Sequence, residues 1–318
     1  MRTLTSPIGI SLTAISLVLA VANARAQDGV ALPDIEVPGL SDYASPNMPE
    51  NRAIAEGAEL ILEAKLDENN ENQSIERGLV WRIFGPEPGP DGKLPLLATA
   101  KGGTTSFHLE PGSYLVHTAY GRAGATKRIT MTREPRREAM ILDAGGLRLN
   151  AVLADGVRIP EKNLRFSIYE DEEDANGDRA LIIPNVKPES IVRLNAGTYH
   201  VVSNYGSANA VIRADIRVEA GKMTEATVQH RAAQLTMKLV REAGGEALAD
   251  TAWSVLTTSG DTVRESVGAF ASMVLAEGEY VIIAKNKDRI YQRNYKVVGG
   301  RNQDVELLSS ETLVESTD

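Results

Sequence analysis

The chain has 318 residues with a formal net charge of −9, and its 42% apolar and 24% charged residues are the proportions of a globular protein. Its length allows two average domains or three small ones, and the absence of cysteine excludes disulfide scaffolds, zinc-ribbon sites and a cysteine nucleophile. The acidic balance argues against nucleic-acid binding, because that needs a basic surface.

The first 26 residues have the features of a cleaved signal peptide. Arg2 is followed by an apolar run over residues 8–22, and Ala24-Arg25-Ala26 supplies the small residues that signal peptidase recognises. A retained membrane anchor is the alternative, but 15 residues fall short of the roughly 20 that cross a bilayer. Cleavage after Ala26 removes two arginines and leaves 292 residues with a net charge of −11. We therefore expect a periplasmic or secreted protein with no transmembrane segment in the mature chain.

The two ends of the mature chain lack the periodicity of folded segments. Residues 27–57 contain four prolines and read as an extended linker, and residues 309–318 form a polar, acidic tail.

Between these ends, three markers recur with a period of 81 to 88 residues, which indicates a repeated module. The first marker is a leucine in an opening strand: Leu60, Leu147 and Leu235. The second is an aromatic residue within a strand: Trp81, Phe166 and Trp253. The third is the tyrosine of a Leu-x-x-Gly-x-Tyr segment: Tyr114, Tyr199 and Tyr280. The markers place the modules at residues 58–145, 146–233 and 234–308.

Within each module, apolar residues alternate with polar ones, as in Leu60, Leu62 and Ala64. This period of two, broken by turn residues about every ten positions, predicts about seven strands per module. The fold class is therefore all-β, with three tandem Ig-like or prealbumin-like sandwiches. We expect the repeated aromatic residues to be core anchors, and each tyrosine hydroxyl to reach a main-chain group. The glycine two residues before each tyrosine is expected to adopt a positive φ.

The Leu-x-x-Gly-x-Tyr-x-Val pattern, followed by turns such as 218–221, resembles carboxypeptidase-regulatory-like and prealbumin-like sandwich modules. Such modules occur in tandem in exported proteobacterial envelope proteins, and the resemblance covers about residues 58–308. It implies structure and binding rather than catalysis. Related modules sometimes carry a Lys–Asn isopeptide bond. Lys65 and Lys238 fall on outward strand positions here, and residues 139–142 and 305–308 lack asparagine, so we expect no such bond.

The sequence proposes no catalytic, cofactor-binding or metal-ligating residue. Its four histidines stand at no metal-ligand or triad spacing: His108, His117, His200 and His230. The acidic run at residues 170–178 alternates like a calcium loop, but a loop starting at Glu172 would need an acidic residue where Ile183 stands. A solvated hairpin tip is the favoured interpretation, with weak calcium binding as the alternative.

These observations predict an exported, non-enzymatic envelope protein that serves as a spacer or as a binding surface for a protein or glycan partner. The net charge of −11 favours a basic partner. The alternative is an enzyme, or an accessory subunit of one, with a site in the loops between modules.

Overall fold

The computed structural model describes residues 57–69, 73–300 and 302–310. The predicted signal peptide, the linker up to residue 56 and the tail from residue 311 lie outside the described residues. The described part contains 21 strands and one short 3-10 turn, Glu161–Asn163. These strands form three tandem β-sandwiches, which confirms the predicted fold class.

Each module contains seven strands. Module 1 comprises β1 (Ala58–Lys65), β2 (Leu79–Phe84), β3 (Leu96–Gly102), β4 (Thr105–Leu109), β5 (Gly112–Tyr120), β6 (Ala123–Met131) and β7 (Arg136–Ile141). Module 2 comprises β8 (Ala144–Leu153), β9 (Leu164–Glu173), β10 (Arg179–Val186), β11 (Ile191–Asn195), β12 (Gly197–Tyr205), β13 (Val211–Val218) and β14 (Met223–His230). Module 3 comprises β15 (Ala232–Val240), β16 (Thr251–Thr257), β17 (Thr262–Val267), β18 (Phe270–Ala276), β19 (Gly278–Asn286), β20 (Arg289–Val297) and β21 (Gln303–Leu308).

The strand order is the same in all three modules. A three-stranded sheet, β4-β1-β7 in module 1, faces a four-stranded sheet, β3-β2-β5-β6; the corresponding sheets are β11-β8-β14 and β10-β9-β12-β13 in module 2, and β18-β15-β21 and β17-β16-β19-β20 in module 3. The first and last strands of each module pair in parallel, and all other pairs are antiparallel. The last strand therefore runs in the direction of the first, which carries the chain to the end of the module where the next one begins.

The alternating apolar residues face the space between the two sheets of each module. Leu60, Leu62 and Ala64 of β1 are fully buried, as are the repeated aromatic residues of β2, β9 and β16. The indole N–H of Trp81 donates to the Gly103 carbonyl and that of Trp253 to the Gly268 carbonyl, both at 2.9 Å. Each ring thus fills a core and also fixes the connection between the two edge strands. The prediction of core anchors is confirmed.

The repeated tyrosines bond as expected, but the reason given for their glycines is wrong. The hydroxyls of Tyr114, Tyr199 and Tyr280 donate to the carbonyls four residues earlier at 3.0, 2.9 and 2.9 Å. The glycines two residues before them begin strands and do not have a positive φ. A Cβ on these glycines would lie 3.6 to 4.0 Å from the tyrosine ring. Residues i and i+2 of a strand share a face, and these distances are ordinary van der Waals contacts, so the ring alone does not require glycine at these positions.

Candidate functional site

The modules follow one another with almost no intervening chain. Two residues separate β7 from β8, and Arg231 alone separates β14 from β15. The first residue of the following module is buried in the core of the preceding one: Ala144 in that of module 1, and Ala232 in that of module 2. Each module therefore begins inside the structure of its predecessor.

At the first junction, Asn195 at the end of β11 bonds the main chain of module 1. Its Nδ2 donates to the carbonyls of Gly124 at 3.1 Å and Leu142 at 2.7 Å, and its Oδ1 accepts the Gly124 N–H at 3.2 Å. Next to it, the Arg193 guanidinium lies 4.3 Å from the centre of the Tyr120 ring, close enough for a cation–π interaction. One asparagine thus holds three main-chain groups of the neighbouring module.

At the second junction, the bridging asparagine belongs to the preceding module. Asn209, in the turn between β12 and β13, donates through Nδ2 to the Tyr280 hydroxyl at 2.8 Å and accepts the Ala276 N–H at 3.0 Å. Apolar contacts surround it, because Val274 packs against the core of module 2 and Ala208 against that of module 3. Both junctions join the turn after the fifth strand of one module to the fourth strand of the next. The bridging asparagine belongs to the following module at the first junction and to the preceding module at the second.

A polar network that the sequence analysis missed lies on the four-stranded sheet of module 2. His200 Nδ1 is 2.7 Å from the Asp215 carboxylate, and Arg179 lies 3.5 Å from Asp215 and 3.0 Å from Glu173. The hydrogen bond with His200, aided by the charges of His200 and Arg179, lowers the pKa of Asp215. The pairing of β12 with β13 places His200 opposite Asp215. The sequence analysis missed this pair because residues 15 positions apart become neighbours only through the register of the two strands.

The acidic segment at residues 170–178 forms the end of β9 and a hairpin turn. The Asp174 carboxylate accepts the backbone N–H groups of Asn176 at 2.8 Å and Asp178 at 2.9 Å, and these bonds lower its pKa. Asp174 thereby closes the turn, as an aspartate commonly does. Among the described residues, no group of three or more His, Asp or Glu side chains is arranged to hold a metal ion. The absence of a calcium site stays a prediction.

The four histidines occupy different environments. His108 is exposed on β4, whereas His117 and His230 are 3% and 1% exposed. His230 Nε2 lies 2.8 Å from the Ser203 hydroxyl, and His117 Nδ1 lies 3.0 Å from the Thr126 hydroxyl. Burial lowers the pKa of His230 to about 4, and burial together with the charge of Arg82 lowers that of His117 to about 4. Both side chains are neutral and inaccessible at neutral pH.

Lys238 forms an ion pair in the position at which an isopeptide bond was considered. It lies opposite Glu306 in the parallel pair β15–β21, with Nζ 2.8 Å from the glutamate carboxylate. Lys65 lies opposite Ile141 in the equivalent pair of module 1. In these parallel strand pairs, neither lysine stands opposite an asparagine.

The acidic charge of the chain is not spread over the sandwiches. Residues 58–308 contain 31 basic and 34 acidic side chains, so the three modules together are nearly neutral. The excess of acidic residues lies in the terminal segments. The expectation of a basic partner, drawn from the net charge, therefore does not extend to the sandwich surfaces.

One family model matches part of the chain. The Rhizobiales growth-associated tandem repeat domain matches residues 234–309, which correspond to module 3. The match is to a tandem repeat family rather than to the carboxypeptidase-regulatory-like modules that the motif resembles. A search of curated proteins finds no match. No helix in the described part of the chain is long and apolar enough to cross a membrane.

Several solved structures also match at low identity. The Bacillus anthracis TIE protein is 14% identical with a TM-score of 0.24, over 80% of this chain and 50% of that one. A streptococcal ancillary pilin is 11% identical with a TM-score of 0.30, over 79% and 98% of the two chains. The minor pilin GBS52 of Streptococcus agalactiae is 14% identical with a TM-score of 0.32, over 55% and 95%. This chain thus spans half the length of the first of these proteins, and its fold assignment rests on its own sheet topology.

Proposed function

We propose that the chain is an exported, non-enzymatic protein of the cell envelope, in which three sandwiches form a spacer that presents a binding surface to a protein or glycan partner. The observation that carries this proposal is the construction of the two junctions. Each joins its modules through one or two residues, a shared core and an asparagine bonded to the neighbouring module.

These contacts favour a fixed relation between neighbouring modules over free rotation. A flexible link needs exposed, polar linker residues with few contacts across the boundary. Here Asn195 makes three hydrogen bonds and Asn209 two, and each bond contributes on the order of 1 kcal/mol. The buried apolar contacts of Val274 and Ala208 add to this. A spacer needs this kind of stiffness, whereas a set of independent binding modules does not.

The geometry supports a non-catalytic role over the enzyme alternative. A serine–histidine pair needs access to a substrate, but Ser203 and His230 are 0% and 1% exposed. The accessible pair His200–Asp215 shares its carboxylate with Arg179, as structural ion-pair networks do. The proposal therefore assigns no catalytic, cofactor or metal residue.

The remaining parts of the proposal follow from the sequence. Residues 1–26 are proposed to direct export and to be removed, and residues 58–145, 146–233 and 234–308 to be the units of the spacer. The repeat family that matches residues 234–309 is described as growth-associated, which supports a role connected with growth.

The proposal can be tested by complementation of a deletion strain. Asn195→Ala combined with Asn209→Ala should leave export and folding intact but lose complementation, because it removes the bridging bonds of both junctions. Asn294→Ala, which alters an exposed asparagine of β20, is the matched control and should complement fully. Full complementation by the double variant, with uncoupled modules, would contradict the spacer function.

A further inference from the structure

The turn that leaves the fifth strand of each module has two versions in this chain. Modules 1 and 2 carry Tyr120-Gly121-Arg122-Ala123 and Tyr205-Gly206-Ser207-Ala208, whereas module 3 carries Asn286-Lys287-Asp288-Arg289. In all three turns the second residue has a positive φ, with values of 67°, 74° and 55°. The backbone conformation is thus shared, and the difference lies in the side chains.

In the first two modules, the following module lies directly against the glycine of this turn. A Cβ on Gly121 would lie 3.0 Å from the Cβ of Arg193, and a Cβ on Gly206 would lie 2.8 Å from the Cβ of Val274. Real Cβ atoms rarely approach this closely, and neither neighbouring atom is the flexible end of a side chain. The close approach therefore favours glycine at both positions, in addition to the preference that comes from the positive φ.

Further residues of each turn contact the following module. The Tyr120 ring lies beneath the Arg193 guanidinium, and the Arg122 N–H donates to the Arg193 carbonyl at 3.0 Å. In the second turn, Ala208 packs against the core of module 3. Tyr120 and Arg122 of the first turn and Ala208 of the second thus contact the next sandwich beside the two glycines.

The corresponding turn of module 3 has the opposite properties. Asn286 bonds within its own module, donating to the Ala249 carbonyl at 2.6 Å and to the Thr251 hydroxyl at 3.0 Å. Lys287, Asp288 and Arg289 are all exposed. A lysine with positive φ costs roughly 1–2 kcal/mol relative to glycine, so the local backbone alone does not explain the choice of lysine. A charged side chain at this position does prevent the close approach seen at Gly121 and Gly206.

We infer that the Tyr-Gly turn is the element that docks one module onto the next, and that the charged turn of module 3 is a cap that prevents a further sandwich from docking at the same face. This inference rests on the proposed function, since it states how the spacer selects its neighbours. Stacking of repeats buries the faces in contact, and burial of the charges of Lys287, Asp288 and Arg289 would oppose it. A partner that binds module 3 at this turn must therefore carry charges complementary to the exposed ones, and we do not expect it to be another sandwich module.

The test exchanges the second residue of the turn between modules. Gly121→Lys should uncouple modules 1 and 2, because lysine tolerates this φ in module 3 but would collide with Arg193. The chain has no cysteine, so Thr130→Cys on β6 and Thr227→Cys on β14 supply a unique pair of exposed sites for spin labels. We expect one narrow distance distribution in the parent chain and a broad one with Gly121→Lys. Lys287→Gly is the matched control and should leave the distribution narrow.

The possible outcomes separate the inference from the proposed function. A broad distribution in the parent chain would refute the spacer itself. A narrow distribution in both the parent and Gly121→Lys would overturn only the docking role of the turn. If Gly121→Lys unfolds module 1, Gly206→Lys carries the same test at the second junction, with labels at Thr227→Cys and Thr262→Cys. Self-association of the parent chain that Lys287→Glu abolishes would overturn the role of the charged turn as a cap.

Discussion

Acidification should destabilise module 2 through His230, and the size of the effect follows from its burial. The imidazole is 1% exposed and its pKa is lowered from 6.5 to about 4. The unfolded chain therefore binds the proton more tightly than the folded chain. The stabilisation is fully present above pH 6.5 and is lost as the pH falls from 6.5 towards 4. At pH 4.5 the loss amounts to about 2–3 kcal/mol, at 1.36 kcal/mol per pKa unit.

The variant that tests this combines His230→Leu with Ser203→Ala. Removing both members of the buried pair leaves no unpaired hydroxyl, so the variant should have nearly the stability of the parent at pH 7. At pH 4.5 it should be more stable than the parent by about 2–3 kcal/mol. Acidic groups protonate in both proteins, so the difference between them isolates the histidine. His108→Asn, which replaces an exposed histidine, controls for the loss of an imidazole as such.

Two measurements decide the outcome. NMR titration of the histidine ring signals gives the pKa of His230 directly, and hydrogen exchange of module 2 amides gives its free energy of unfolding at each pH. A His230 signal that titrates near pH 6.5, or parallel losses of stability in parent and double variant, would refute the argument from burial.

Three further predictions concern the repeated core and the acidic hairpin. Trp253→Ala should lower the unfolding free energy of module 3 by about 3–5 kcal/mol, and unchanged hydrogen-exchange protection there would show that the indole is not a core anchor. Tyr199→Phe should cost about 1 kcal/mol through its lost hydrogen bond, as seen in chemical denaturation, with Tyr169→Phe as the control; equal stabilities would refute the role of the hydroxyl. Calcium should leave the melting temperature unchanged, since a ligand of the native state would raise it. A rise that is abolished by changing three hairpin residues to serine would reveal a calcium site: Asp174, Asn176 and Asp178.

The sequence predicted the features of the fold that recur in every module. Trp81 and Trp253 could be recognised because the same core position is filled three times, so each copy supports the assignment of the others. The tyrosine hydroxyl bonds were predictable for the same reason. The conformation of Gly112 was not, since a glycine at the start of a strand is compatible both with a positive φ and with extended backbone. The structure distinguishes the two, because Gly112 begins β5 without a positive φ.

The junctions were beyond the reach of the repeat pattern. Asn195 and Asn209 occupy different positions in their modules, so no repeated signal marks them. One signal was present, because Tyr120-Gly121 and Tyr205-Gly206 stand 85 residues apart and module 3 departs from them. Its meaning depends on contact with the next module, which local periodicity does not encode. His200 and Asp215 were missed because their proximity depends on strand register.

The central claim is that the junctions hold the three modules in one arrangement. It is tested most directly by the distance between spin labels at Thr130→Cys in module 1 and Thr262→Cys in module 3, a pair that spans both junctions of the cysteine-free chain. The account predicts one narrow distribution that broadens when Asn195→Ala and Asn209→Ala are introduced together. A broad distribution in the parent chain, unchanged by these substitutions, would contradict it.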